Sequence, residues 1–515
     1  MTEVPPQETV VVPPVAAALT DGQWHRLHPA SPLLRGGIAL IAILGVVVAN
    51  LRERLVSLFI PRFDEGGDPV DYVLDHGLVL QALVVIVVLL ILFIAGFYLS
   101  WRMHTFRITN EVVEVRSGIL FRTNRKARLD RIQGINIVRP FFARLFGAAK
   151  LEVNQAGQNS NLQLSYLGSS AADDLRREIL RLASGTRLAE QRAAAATPQG
   201  LLDRRVAELL APELDPNLAP PESVVKIHLG RLVGSMVFSE STLILVLALI
   251  GGGIWIGTTG KFYALIFALP SLLGFFSFYA RRFTKSLRYT IAGTPDGVRV
   301  GYGLFSTSNE TLPPGRIHSV QVRQSLLWRP AGWWEVRVNV ASHSSNKGAD
   351  GRANTTILPV GSFDDAARVV ALVLPGFELP NFPRVAPDDG FTNSPRRAAW
   401  LRPFSWRRNG FASAPDWLLL RRGAIWRQLV IVPQPRLQSV ALSQGPVLRM
   451  LRLAAIQLHT VSGPIRAELG AIDRDAALAF FGHVAQAAVS SAQRDTSHRW
   501  RSGEQPGLTT GGLPA

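Results

Sequence analysis

Apolar positions along this chain follow two different patterns. In four places they run on almost without a break, at residues 36–51, 77–98, 243–257 and 262–280. Elsewhere they alternate with polar positions over short stretches, the period-two pattern of half-buried strands. The run 77–98 carries no charge and only Gln81 as a strongly polar residue, and as a helix it covers a hydrocarbon core of roughly 30 Å. Tyr98 and Trp101 stand at its end, where amphipathic aromatics prefer the interface. The run 36–51 is shorter, but Arg35 and Arg52 flank it and can snorkel outward, so it too is read as a span. Only Thr258, Thr259, Gly260 and Lys261 separate the last two runs, which predicts a tight helical hairpin with Pro270 kinking its second helix.

The alternating stretches repeat. VEVRSGILFRTNRKARLDRIQGINI from Val113, VRVGYGLFSTSNETLPPGRIHSVQV from Val298 and LLLRRGAIWRQLVIVPQPRLQSVAL from Leu418 share one spacing. A glycine (Gly118, Gly303, Gly423) precedes an arginine (Arg131, Arg316, Arg436) by 13 positions, and a second arginine (Arg144, Arg329, Arg449) follows 13 later. An alternating apolar pair comes next: Leu151 and Val153, Val336 and Val338, Ile456 and Leu458. Three offsets kept in three segments mark an internal repeat. Each unit reads as strands about a glycine turn, then further strands, then one closing helix at 171–183, 363–374 or 473–488. Acidic pairs crowd the start of each helix (Asp173 and Asp174, Asp364 and Asp365, Asp473 and Asp475), complementing its positive amino end.

These signals predict a flexible arm at 1–23, an entry motif and two spans at 24–101, and a first domain at 102–186. A linker at 187–230, two more spans at 231–281 and a second domain at 282–376 follow. A proline-rich linker at 377–399, a third domain at 400–488 and a disordered tail at 489–515 complete the chain. The third domain has no spans of its own, which makes it the one expected to be freest to meet a partner.

Charge orients this layout. The stretch 52–76 holds three basic and six acidic residues, 102–131 holds eight basic and three acidic, and 281–288 holds four basic and none acidic. The positive-inside bias puts 52–76 outside and both termini and all three domains inside, for a multi-pass protein of a bacterial plasma membrane. The net charge of +17 fits an anionic membrane face, and nucleic acid is not an expected partner. The basic residues are overwhelmingly arginine, which points to a GC-rich bacterial genome rather than a selected chemistry. The absence of cysteine excludes disulfides, thiolate metal sites and cysteine nucleophiles.

Two spans followed by a strand–glycine–strand unit with an Arg-Ile-Gln motif resemble the bacterial pleckstrin-homology-like membrane proteins. That family was once catalogued only as a domain of unknown function, and the resemblance is to its YdbT-like multi-domain members. The likeness rests on Arg131-Ile132-Gln133, Arg316-Ile317-His318, Arg436-Leu437-Gln438 and the WHRLHPAS element at 24–31, and covers about residues 24–488. Two departures stand out: His318 replaces glutamine, and Arg452 stands where the other units have Gly147 and Gly332. The resemblance implies an α+β membrane protein: transmembrane helix pairs plus three PH-like domains, each a small, partly open β-barrel closed by a C-terminal helix. It implies no enzymatic activity.

The candidate interaction or structural residues are therefore Arg131, Gln133, Arg316, His318, Arg436 and Gln438, with Arg144, Arg329 and Arg449. The first arginines either face anionic headgroups or hold a carbonyl or carboxylate inside the unit, and strict register favours the structural role. Arg122, Arg125, Lys126 and Arg128 form a denser basic run, read as a solvated edge or loop that happens to face the negative leaflet. Trp24, His28 and Pro29 read as a juxtamembrane turn, since His25 and His28 lack the further ligands of a metal site. No phosphate loop, catalytic triad or paired-carboxylate pattern occurs, and no catalytic residue, metal or cofactor is expected. Apart from Glu240 at an edge, the spans carry no acid, which disfavours a transporter. The leading expectation is a non-enzymatic membrane protein whose domains recruit proteins or sense lipid. The alternative is an accessory subunit of an export or resistance system.

Overall fold

The computed structural model describes residues 21–29, 76–183 and 225–494, with Leu19, Ser31 and Leu34. Interruptions fall at 110, 119–121, 156–161, 261–263, 295–296, 314, 342–354 and 384–388. The arm, the run 36–51, the acidic stretch before residue 76, most of the first linker and the end of the tail lie outside the described residues. The chain divides into two compact units. One comprises Met1–Arg128, Phe141–Leu151 and Leu162–Leu175; the other comprises Leu129–Pro140, Glu152–Asn161 and Arg176–Ala515.

The first repeat opens with a two-residue strand, β1 (His25–Arg26), where the sequence suggested a turn. The helix α1 (Val79–Met103) follows, and then β2 (Thr105–Ile108), β3 (Val112–Ser117) and β4 (Thr123–Arg128), which complete a four-stranded antiparallel sheet ordered β1-β2-β3-β4. Trp24 precedes β1 and lies under the guanidinium groups of Arg107 and Arg116, while the Trp101 indole donates to the Leu27 carbonyl at 2.9 Å. The His28 amide donates to the Tyr166 carbonyl at 2.8 Å, and Pro29 is exposed. The rest of the repeat is β5 (Ile132–Arg139), β6 (Ala148–Gln155), β7 (Leu162–Gly168) and α2 (Ser169–Ala183).

The second and third repeats lie in the second compact unit and show the plan whole. Repeat two begins with β8 (Val225–Lys226), then α3 (Leu229–Val237), α4 (Glu240–Thr259) and α5 (Ala264–Ser286). After these come β9 (Thr290–Thr294), β10 (Gly297–Tyr302) and β11 (Thr307–Leu312), which with β8 form one sheet. A second sheet of β12 (Ile317–Gln324), β13 (Trp334–Val340) and β14 (Thr356–Gly361) follows, and α6 (Phe363–Val373) closes the repeat. Ser362 and Asp365 form a capping box at its start, the chemistry that the acidic pair at 364–365 suggested.

Repeat three has β15 (Thr392–Asn393), β16 (Gly410–Ser413), β17 (Trp417–Arg422) and β18 (Arg427–Pro433) in its first sheet. Its second sheet is β19 (Ser439–Ser443), β20 (Leu453–His459) and β21 (Ala467–Asp473), and α7 (Arg474–Arg494) ends it. The stretch 377–399, read as a linker, contributes β15 and the buried Phe382, and it also cages Arg421. That wholly buried guanidinium meets Asp389 at 2.5 Å, Asn393 at 2.7 Å and the Arg408 carbonyl at 3.2 Å, and stacks on Phe391.

The long helices are thus insertions in one place, between the lead strand and the first full strand of a repeat. In repeat three that place holds only Ser394 to Asn409 with a short 3-10 turn. Ser239 caps α4, and the Tyr279 hydroxyl bonds Ser239 at 2.8 Å and Thr242 at 2.6 Å, tying α4 to α5 as a hairpin. Gly260, with φ of 65°, ends α4, and α5 runs unbroken through Pro270. Among the described residues one helix, Glu240–Thr259, is long and apolar enough to cross a membrane, and none of it is buried.

The motif glycines are explained by backbone conformation. Gly118, Gly303 and Gly423 have φ of 107°, 106° and 86°, and a Cβ on Gly303 or Gly423 would overlap the carbonyl oxygen three residues on. The second departure in the repeat obeys the same geometry. Gly147 and Gly332 both have φ of 65°, and Arg452 is held at 51°.

Candidate functional site

The repeats do not stand apart: within the second compact unit they share sheets. Strand β5, which follows Arg131, pairs antiparallel with β11 of the next repeat. Strand β12, which follows Arg316, pairs in the same way with β18 of the third. Apolar packing crosses the second junction. Leu429 and Ile431 on one face of β18 join the core of repeat two, and Val430 and Val432 on the other face join that of repeat three. The first junction is polar instead. All six residues of β11, Thr307 to Leu312, are buried, and Asn136 accepts from the Ser308 hydroxyl at 2.8 Å. Burial and then the Glu152 carboxylate push Glu310 up to about 8, so it holds its proton at neutral pH.

The motif arginines sit at these junctions. Arg131 is exposed at the end of a 3-10 turn, Leu129–Arg131, and Gln133 is buried behind it. Arg316 donates to the Asp130 carbonyl at 3.1 Å, reaching back across the first junction. At the second, Arg436 ends the turn Gln434–Arg436 beside His318. Burial, with the charge of Arg436, pushes the His318 imidazole down to about 4. Gln438 is exposed, and its amide donates to the His459 carbonyl at 2.9 Å.

The second arginines share a backbone role. The carbonyls of Arg144, Arg329 and Arg449 accept from the N–H three residues on, at 3.0, 3.1 and 3.1 Å, where the left-handed residue follows. Arg329 also sends its guanidinium across the second junction to the carbonyls of Ala424 and Ile425, the latter at 2.9 Å. Arg449 is exposed.

Asn339 on β13, absent from the sequence reading, makes a further tie. Its amide donates to the Ile465 carbonyl at 2.9 Å and accepts from the Ile465 N–H at 3.1 Å, fully buried. Gly463 lies against it, where a Cβ would strike the amide. The repeat spacing carried a signal for it: Asn154, also buried, stands 23 after Arg131 as Asn339 stands 23 after Arg316, while repeat three has His459 there. The basic run lies on β4, where Arg125, Lys126 and Arg128 are exposed and Lys126 meets the buried Glu114 at 2.7 Å.

This is a tandem of helix-closed, sheet-rich repeats joined strand to strand. Models of the bacterial PH domain match it three times, over residues 41–183, 241–375 and 355–488, and the chain belongs to that family. No curated protein matches it.

Proposed function

We propose that this chain is a multi-pass protein of a bacterial plasma membrane that displays its PH-like repeats at the inner face, to recruit proteins or sense lipid there. The carrying observation is α4, an apolar helix with no buried residue, inserted into a PH-like repeat. Two further features support helix pairs. The 25-residue α1 holds Arg102 as its one charged residue, and α5 is bonded to α4 through Tyr279. Only His104 separates α1 from β2, so the basic side chains of β4 belong to a sheet that starts where the helix leaves the membrane. Each such side chain near an anionic leaflet contributes about 1 kcal/mol.

The absence of native cysteine makes topology directly measurable. A cysteine replacing Thr259 should react with an impermeant maleimide from outside intact cells, and one replacing Thr123 should react only after lysis. The opposite pattern refutes the orientation. For lipid sensing, hydrogen exchange over residues 122–128 in nanodiscs should slow with anionic lipid at low salt and recover at high salt. Exchange indifferent to headgroup charge leaves protein recruitment as the function. The accessory-subunit reading differs in one outcome: a transporter would remain bound through purification in mild detergent. No enzymatic role is proposed.

A further inference from the structure

Each repeat has two edges that matter: the strand after its motif glycine and the strand after its motif arginine. In two cases these edges meet inside the chain, and they meet in one register. The residue six after Arg131, Ile137, faces the residue six after Gly303, Asn309. The residue six after Arg316, Val322, faces the residue six after Gly423, Leu429. A side-chain bond crosses both junctions from five after the arginine to five after the glycine, Asn136 with Ser308 and Gln321 with Gln428. Two junctions of different composition thus obey one rule.

Among the described residues the rule leaves two edges over. Strand β4 ends its sheet, and so does β19. Strand β4 is mostly exposed, and β19 is half-buried to exposed, where their paired equivalents are mostly buried. Five of six β4 residues are exposed, against none in β11, and no residue of β19 is buried, against six of eight in β12. Arg449, the counterpart of the junction-spanning Arg329, is exposed.

We infer that β19 of one copy pairs antiparallel with β4 of a second copy, in the register of the two internal junctions. Six after Arg436 is Leu442 and six after Gly118 is Asn124, so Leu442 faces Asn124 and Ala441 faces Arg125. Asparagine opposite a large aliphatic residue repeats the Asn309–Ile137 pair of the first junction. The occupant is a second copy because the chain itself carries both complementary edges. The contact is heterologous, so each copy keeps one edge of each kind for a further neighbour. Ala441 stands where the internal junctions have Asn136 and Gln321, so this junction lacks their side-chain bond and is the weakest of the three. The basic residues of β4 suit an edge that must stay soluble until paired, and they project from the sheet faces while the backbone pairs.

The test uses full-length chains, free of native cysteine, in membranes. One tagged chain carries Ala441→Cys and a differently tagged chain carries Arg125→Cys. Directly opposed residues on one face bring Cβ atoms within about 4.5–5.5 Å, near enough that a small backbone adjustment reaches the roughly 3.5–4.5 Å a disulfide needs. Oxidation should give a mixed-tag dimer from this pair. The pair Ala441→Cys with Asn124→Cys, shifted to the other face of β4, should give far less. Three results overturn the inference: no mixed dimer above the shifted control, an Ala441→Cys dimer with itself as the main product, or a monomeric mass for the unmodified protein at every concentration in mild detergent.

Discussion

Replacing Asn339 by alanine should release the loop of repeat three that packs on repeat two. Asn339 is fully buried and holds both the N–H and the carbonyl of Ile465, at 3.1 and 2.9 Å. Truncation removes both partners at once and gives the backbone nothing in return. A buried polar group left without its partner costs about 1–3 kcal/mol, so two such groups set the expected loss at about 2–6 kcal/mol. The low end applies if water enters the space left by the amide. Hydrogen exchange read by mass spectrometry on peptides covering residues 460–468 is the suitable assay, since it reports local opening without a global transition. The Ile465 amide should exchange faster by a factor on the order of 30 for a loss of about 2 kcal/mol, and by more if the loss is larger. Gly463→Ala is an independent route to the same state, because its Cβ would displace the Asn339 amide. Both variants should speed exchange over the same peptide. An Ile465 amide within about threefold of the parent in N339A would show that packing alone holds the loop, and the reasoning from paired polar groups would fail.

Three further outcomes follow. Asp389→Asn removes the charged partner of the buried Arg421 and should cost about 3–5 kcal/mol, seen as a lower unfolding temperature and early protease cleavage in repeat three. Arg452→Gly relieves a left-handed conformation at an exposed position and should stabilise by about 0.5–1 kcal/mol once the entropy of glycine is counted, read from thermal unfolding. Glu310 has a folded pKa of about 8, above its ordinary value of 4.5, so the folded state binds more protons between those pH values and stability falls as pH rises through them. Glu310→Gln should therefore gain on the parent between pH 5 and pH 8, by up to about 1.4 kcal/mol per pH unit, and parallel stability curves for the two proteins would refute the shift.

The repeat was legible because its offsets reflect backbone geometry. The glycines mark a positive φ, and the second arginines mark the residue whose carbonyl closes a short turn. The closing helices were legible from apolar spacing, and α6 and α7 also from acidic starts; α2 begins at Ser169, so Asp173 and Asp174 fall beyond its first turn. The joining of the sheets was not read, although one sign of it is in the sequence. Leu429-Val430-Ile431-Val432 on β18 is a continuous apolar run, the signature of a strand buried on both faces. Strand β11 gives no such sign. Thr307-Ser308-Asn309-Glu310-Thr311 looks solvated, and only the arrival of β5 buries it. The two-residue lead strands were missed for a related reason. His25–Arg26, Val225–Lys226 and Thr392–Asn393 are too short to show a period, and large insertions separate the first two from the strands they pair with.

The shared sheets change what freedom the third repeat has. Without spans it was expected to be the freest to meet a partner, yet β18 is hydrogen-bonded along β12, its outer face completes the core of repeat two, and Arg329 and Asn339 fasten its loops. Breaking that junction would expose Leu419, Leu429 and Ile431 together with a row of backbone groups, so repeats two and three should move as one body. The Glu240 carboxylate adds a link to the apolar helix α4. It receives the Trp426 indole N–H of repeat three and lies 3.5 Å from Arg323 of β12, at the first turn of α4. Glu240→Gln should loosen the first turn of α4 from Trp426 and Arg323, read as faster hydrogen exchange there, while leaving the β12–β18 pairing in place.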